Sequence, residues 1–253
     1  MSEPEGGNYW ALLSGGKDSV CAAHVLASKG KLSGCVFLDT GVGCPDTLPF
    51  VQKLCRDQGW NLRTFKAPKS FEEIVAIYGF PHGNSGHRWA FGWLKERPLR
   101  EARKQLGPST IFASGARRKE SARRSQSFRM GLHSRIRFEN VIADWSTAQT
   151  WKYLREHDLP VSPSYLSIGR SGDCNCGAFS HWGEAETIRR SYPDLAARME
   201  RLENAVADLH PYPRNRWGGR AKSIGGFKAL RGRLTIEEAI CGGDCASAAE
   251  PPP

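Results

Sequence analysis

Tyr9-Trp10-Ala11-Leu12-Leu13 runs straight into Ser14-Gly15-Gly16-Lys17-Asp18-Ser19, and an apolar-periodic stretch opens directly behind it. An apolar, β-rich run that ends in two glycines, a lysine and two hydroxyls reads as strand, turn and helix, with the turn shaped to hold an anion. The glycines let backbone N–H groups face inward, and the helix that follows adds its positive N-terminal end. Lys17 brings a point charge, while Ser14 and Ser19 bring hydroxyl donors. A Walker A loop would place glycine where Ala11 stands and a hydroxyl residue where Asp18 stands, so this is a different phosphate loop.

Outward from that turn, short apolar runs alternate with amphipathic ones. Strands are expected over 9–13, 34–38, 61–65, 110–113 and 140–143, and helices over 18–29, 47–58, 71–78, 91–105 and 147–157. Runs such as Cys35-Val36-Phe37-Leu38, apolar on both faces, suit strands covered on both sides. The alternation implies an α/β fold, a parallel five-stranded sheet with helices on both faces. Ligands in such sheets sit beyond the strand C-termini. Three motif-bearing turns, at 14–19, 39–45 and 114–118, follow strands and are therefore expected on one sheet edge. The texture changes near Tyr165, so the expected layout is a nucleotide-binding domain over 1–165, a smaller helical and loop region over 166–245 and a disordered tail over 246–253. Helix is expected over 184–209, interrupted near Pro193.

The other two turns carry chemistry of their own. Asp39-Thr40-Gly41, with Pro45 behind it, offers a carboxylate to a ribose, an adenine or hydrated Mg²⁺; Asp18, adjoining the phosphate loop, is the better Mg²⁺ candidate. Ser114-Gly115-Ala116-Arg117-Arg118, with Ser121, Arg123 and Arg124 after it, offers guanidinium groups that match phosphate or sulfate oxygens. His87-Arg88-Trp89-Ala90-Phe91-Gly92-Trp93-Leu94-Lys95-Glu96-Arg97 mixes aromatics with cations, a texture that stacks bases and neutralises phosphates. Trp89 and Trp93 also have the i, i+4 spacing of a helix core, and core is the preferred reading for them.

The 253 residues carry a formal net charge of +10, which favours anionic partners such as nucleotides, sulfate esters or nucleic acid. No run is long and apolar enough for a membrane span, and the acidic start Met1-Ser2-Glu3-Pro4-Glu5 is unlike a secretory signal. A cytoplasmic location is expected, where the eight cysteines stay reduced. Cys21, Cys35 and Cys55 fall in predicted core elements and Cys44 in the 39–45 turn, where an inert role is preferred. Cys174-Asn175-Cys176 and Cys241-Gly242-Gly243-Asp244-Cys245 lie in Gly-rich loops, and their four thiolates suit a four-iron–four-sulfur cluster or structural zinc. A redox or persulfide-carrying pair is the other reading.

Taken in order, Ser14–Ser19, Leu38-Asp39-Thr40-Gly41 with Pro45, Gly115-Ala116-Arg117-Arg118 with Ser121, and the closing cysteine pair resemble the phosphoadenosine phosphosulfate reductase-like family of the PP-loop ATP pyrophosphatase superfamily. That group includes sulfate-activating ATP sulfurylase subunits, sulfonucleotide reductases and the ATPases of DNA phosphorothioation. The resemblance implies an adenine nucleotide α-hydrolase-like fold, with Ser14, Gly15, Gly16, Lys17 and Ser19 on the β,γ-pyrophosphate and Asp39 beside the adenosine. It places Thr40, Gly41 and Gly115 in the nucleotide site, with Lys17, Asp18, Arg117 and Arg118 as its catalytic groups. The reductases' Glu-Cys-Gly-Leu-His segment and their adjacent cysteines do not occur in the sequence, whereas the Lys17-Asp18 loop is intact. ATP with Mg²⁺ is therefore the expected substrate, cleaved between the α and β phosphates to adenylate an acceptor in sulfur metabolism or sulfur transfer. The basic charge points to DNA or tRNA as acceptor, beside a sulfur-donor protein. Sulfonucleotide reduction, and ATP-dependent nucleic-acid binding without turnover, are the alternatives.

Overall fold

The computed structural model describes residues 8–118, 136–178, 180, 183–211 and 216–218. Five strands form one all-parallel sheet: β1 (Tyr9–Leu12), β2 (Leu32–Asp39), β3 (Leu62–Lys66), β4 (Ile111–Ser114) and β5 (Arg137–Asn140), in the order β3-β2-β1-β4-β5. The chain winds outward from β1 in one direction through β2 and β3, then returns to β1's other side with β4 and β5. The strand order thus reverses between β1 and β4, and that is where a doubly wound sheet opens a crevice for a ligand.

The helices are α1 (Lys17–Ser28), α2 (Thr47–Asp57), α3 (Phe71–Tyr78), α4 (Gly83–Phe91), α5 (Arg97–Leu106), α6 (Thr147–Glu156), α7 (Pro163–Ile168), α8 (Glu184–Ser191) and α9 (Pro193–Ala205), with a π turn over Gly92–Glu96 joining α4 to α5. Local chemistry fixes several starts. Ser70 caps α3 by accepting from the Glu73 N–H while the Glu73 carboxylate accepts from the Ser70 N–H, and Ser146 and Gln149 do the same for α6. α1 buries Val20, Cys21, Ala22, Ala23, Val25 and Leu26, so small side chains let it lie close between the sheet and α6.

The strands and helices expected from the sequence are present, with two corrections. β5 pairs over Arg137–Asn140 rather than 140–143, because an edge strand pairs through its backbone whatever its side chains; Ile142 is buried just past its end. The helix expected over 91–105 is three segments, and it starts eight residues earlier than expected, at Gly83. Gly83 and Gly86 disguise that start; Gly86 is required there because a Cβ would lie 2.8 Å from the Pro81 backbone.

Two cores cover the faces of the sheet and a third lies beside it. Ala11, Leu13, Val20, Phe37, Leu54, Ala113 and Ile142 fill one between β1, β2, β4, α1, α2 and α6. Trp10, Val36, Phe65 and Phe112 pack the other face against Leu99 and Ala102 of α5. The third joins Val42 and Phe71 to Ile188, Met199 and Leu202 of the last two helices, so the helices after residue 166 pack on the same core as α3 and α4. Trp89 and Trp93 pack against that core, in line with their spacing, but remain half-buried at its edge. Cys21, Cys35 and Cys55 are buried as expected, and burial pushes the Cys21 thiol up to about 12.

Candidate active site

The 14–19 turn sits at the C-terminal end of β1, next to the strand-order reversal. Gly15 adopts φ +83°, which a side chain would strain, and its carbonyl accepts from the Ser162 N–H at 3.1 Å. The hydroxyls of Ser14 and Ser19 lie 3.2 Å apart, and Ser19 Oγ donates to the Gly16 carbonyl at 2.8 Å. Those hydroxyls therefore close the turn on itself, which holds the loop in shape.

Charge concentrates on Asp18. Its Oδ2 accepts from Lys17 Nζ at 2.9 Å and its Oδ1 from Arg117 Nε at 2.8 Å. Arg117 is 3% exposed and is fixed further by Thr147 Oγ1 at 3.2 Å and the Trp145 carbonyl at 3.4 Å. Burial alone would lower the Lys17 pKa, but Asp18 and Tyr165 outweigh it and hold the ammonium above its ordinary value; Lys17 Nζ lies 5.4 Å from the Tyr165 ring centre. Two buried cations around one carboxylate leave an excess positive charge at the mouth of the crevice, suited to a polyanion.

The turn after β4 meets the turn after β1 by backbone contact. A Cβ at Gly115 would lie 2.4 Å from the Asp18 carbonyl oxygen, so only glycine allows the approach. Arg118 turns elsewhere: its Nε donates to Asp144 at 2.8 Å and half of its side chain is exposed. Of the two arginines singled out in the sequence, Arg117 belongs to the loop and Arg118 faces the rim. Ser121, Arg123 and Arg124 lie outside the described residues.

The third turn reaches the site through the Gly-rich loop that carries Cys174 and Cys176. Asp39 Oδ1 accepts from the Gly41 N–H at 2.9 Å, and Gly41 adopts φ +71°. Thr40, 1% exposed, donates its hydroxyl to the Asp173 carbonyl at 2.7 Å. Cys44 N–H donates to Gly172 O at 2.6 Å, and Asn175 N–H to Val42 O at 2.9 Å. Residues 170–176 therefore run along the β2 turn, and Ser171 walls the phosphate loop so closely that a Cβ at Gly16 would lie 2.9 Å from its Cβ. Cys44 is buried, and burial raises its thiol pKa, as suits the inert role expected of it.

Charges beneath this segment hold it. Lys95 Nζ contacts Asp173 Oδ2 at 2.6 Å, and Ser171 Oγ donates to Asp173 Oδ1 at 2.7 Å. Arg170 contacts Glu184 at 2.5 Å and Asn175 Oδ1 at 2.7 Å. Burial would raise the Asp173 carboxyl, yet Lys95, Ser171 and Arg170 hold it below its usual value. Cys174 and Cys176 are neighbours here, both half-buried: the hydrogen bond from Cys176 brings the Cys174 thiol down to about 6 against the opposing effect of burial, with Lys95 assisting. Cys241 and Cys245 lie outside the described residues. Among the described residues no group of three or more metal-binding side chains gathers, and no helix is long and apolar enough to cross a membrane. Asp173 and Arg170 escaped notice in the sequence because their partners are set by the tertiary fold, their only signal being closeness to the Cys174-Asn175-Cys176 loop; Lys95 stood out only as a cation in the 87–97 stretch, 78 residues from Asp173.

The chain is similar to several known proteins. The chain is 30% identical over 204 residues to an uncharacterized protein of Methanocaldococcus jannaschii, an alignment that covers 78% of this chain and spans 42% of the relative. It is 30% identical over 176 residues to the phosphoadenosine 5′-phosphosulfate reductase of Xanthomonas axonopodis pv. citri, with 63% of this chain and 73% of that one covered. A solved structure of phosphoadenylyl-sulfate reductase from Candida auris, in complex with phosphate, aligns with TM-score 0.48 and 22% identity over 66% of this chain and 79% of that one. The phosphoadenosine phosphosulfate reductase domain family matches residues 8–178, which include all three turns and both described loop thiols. The chain belongs to the phosphoadenosine phosphosulfate reductase domain family, within the adenine nucleotide α-hydrolase-like superfamily.

Proposed function

We propose that this protein binds ATP in the crevice between β1 and β4, cleaves it between the α and β phosphates and adenylates an acceptor in cytoplasmic sulfur metabolism or sulfur transfer. The observation that carries the reading is the Lys17–Asp18–Arg117 constellation: an intact phosphate loop with a carboxylate held between two buried cations. An acceptor oxygen forms a bond to the α-phosphorus as the bridging bond to the β-phosphate breaks, and pyrophosphate leaves toward the 14–19 turn. Inward backbone N–H groups and Lys17 receive the charge that develops on it. Arg117 acts by fixing Asp18, and Asp39 and Gly41 border the nucleoside. Asp18 is a hard oxygen donor suited to Mg²⁺, whose chemistry is to neutralise phosphate oxygens; Lys17, which now shares that carboxylate, would then turn to the phosphates. The soft donors Cys174 and Cys176, with Cys174 already biased to thiolate, fit two positions of an iron–sulfur or zinc site that Cys241 and Cys245 would complete.

That same thiol pair favours a second reading, reduction of a sulfonucleotide. One thiolate bonds to the sulfate sulfur and displaces the nucleotide phosphate, and the second thiol then closes a disulfide as sulfite leaves and two protons are lost. One turnover experiment on anaerobically purified protein separates the two. With ATP labelled in the α and γ positions, AMP or an adenylated acceptor together with pyrophosphate supports the first reading, and Lys17→Ala abolishes it. Sulfite released from phosphoadenosine phosphosulfate, with no cleavage of ATP, replaces it with the second.

A further inference from the structure

The run from α4 through the π turn into α5 presents one face as a groove of about 330 Å³, lined by Trp89, Gly92, Trp93, Glu96, Arg97 and Arg100. Their spacing is that of a single helical stripe. At Gly92 the floor is bare, since nothing lies within 4 Å of the Cβ it lacks. The Arg97 guanidinium lies 3.8 Å over the Trp93 ring, and the Lys69 ammonium is 5.9 Å from the same ring. Tyr78 stacks on Trp89 with ring centres 5.1 Å apart. The one carboxylate in the lining, Glu96, already accepts two N–H bonds from Arg100, at 2.7 and 3.2 Å, so Arg97 stands in excess. Arg88, Arg103 and Lys104 extend the positive charge along the same helical run, against Glu101.

The groove adjoins the active-site edge of the sheet. Lys69 follows the C-terminal end of β3, and Lys95, inside the same π turn as Trp93, reaches the other way to the Asp173 segment that walls the phosphate loop. A π turn inserted in an α-helix is found disproportionately at functional sites.

We infer that this groove docks single-stranded nucleic acid, with unpaired bases stacking on Trp93 and Trp89 and the backbone phosphates held by Arg97, Arg100 and Lys69. Alternating aromatic faces and guanidinium groups is the chemistry that holds unpaired bases without reading their sequence, and a guanidinium lying on an indole is displaced onto a phosphate when a base takes its place. A duplex keeps its bases stacked and offers nothing to the tryptophans. An acidic peptide would satisfy the cations but leave the indole faces unused. The net charge of +10 brings a polyanion to the surface. Docking is independent of ATP cleavage and stands whether or not that activity is found.

The test is fluorescence anisotropy of a labelled 20-nucleotide oligo-dT titrated with the full chain over a salt series. Binding is expected at low salt and weakens as salt rises. Arg97→Gln/Arg100→Gln, which changes two exposed side chains, should weaken it at least tenfold and lower the slope of log K against log salt by about 1.4, two contacts at roughly 0.7 each. Trp93→Leu should weaken binding with the slope unchanged; if that half-buried site does not tolerate leucine, the arginine pair still decides. Duplex DNA and inorganic polyphosphate of equal charge should compete poorly, and Lys17→Ala should bind as wild type. Failure to bind at about 50 mM salt, wild-type affinity in the arginine variant, polyphosphate competing as well as the oligonucleotide, or loss of binding in Lys17→Ala would each overturn the inference.

Discussion

Replacing Gly115 by alanine puts a Cβ 2.4 Å from the Asp18 carbonyl oxygen, 2.5 Å from its carbon and 2.8 Å from the Ser19 nitrogen. All three are backbone atoms in the first turn of α1, so no side chain can move aside to relieve them. Ordinary contact begins near 3.4 Å, and the start of α1 must therefore retreat from β4 by about 1 Å. Overpacking of this kind costs about 1–3 kcal/mol, and the stiffer unfolded chain returns about 0.4–1 kcal/mol of it. A net loss of about 1–2 kcal/mol lowers Tm by roughly 2–8 °C for a chain of this size. The retreat also stretches the 2.8 Å contact between Arg117 Nε and Asp18 Oδ1, so on the proposed reading ATP affinity should fall as well, at least tenfold. Differential scanning fluorimetry and calorimetric titration with Mg·ATP read the two effects separately. A Gly115→Ala protein with wild-type Tm and wild-type affinity would refute the claim that backbone contact between the two turns shapes the site.

Lys95→Met removes the cation from Asp173 and should cost about 2–3 kcal/mol by chemical denaturation, below the roughly 3–5 kcal/mol of a fully buried pair because Lys95 is 30% exposed; adding Asp173→Asn should recover part of the loss. Glu72 is hydrogen-bonded by Arg198 Nε at 2.6 Å, which holds its carboxyl below the ordinary value of 4.5. Its contribution is therefore complete above pH 4.5 and vanishes as pH falls through the lowered value, so wild type should exceed Glu72→Gln by no more than about 1 kcal/mol near neutrality and converge with it in acid. A constant gap across that range would contradict the assignment. Cys174→Ser/Cys176→Ser should lower the iron or zinc that copurifies with the protein, measured by plasma emission; unchanged metal content removes these thiols from any metal site.

The phosphate loop was legible because everything it needs is local: Gly15, Gly16, Lys17 and Ser19 act through the backbone of one turn. Strands β1 to β4 were legible for the same reason, as β-rich runs of strand length. β5 was displaced because the apolar signal of Val141 and Ile142 falls after the paired residues, and α4 was missed because Gly83 and Gly86 look like loop. Lys95–Asp173 joins residues 78 apart, and Thr40 meets the Asp173 carbonyl across 133. No spacing rule reaches that far, so the segment that closes the site showed only as a Gly-rich stretch with two cysteines.

The backbone bonds between the β2 turn and residues 172–175 also order events in time. On a ribosome the 14–19 loop emerges before Ser171, Gly172 and Asn175, which wall it and pin the neighbouring turn and come some 130 residues behind Val42 and Cys44. Contacts of such long range form late in folding. The growing chain thus carries its phosphate-loop sequence without a finished wall until that distant segment has been made and has docked.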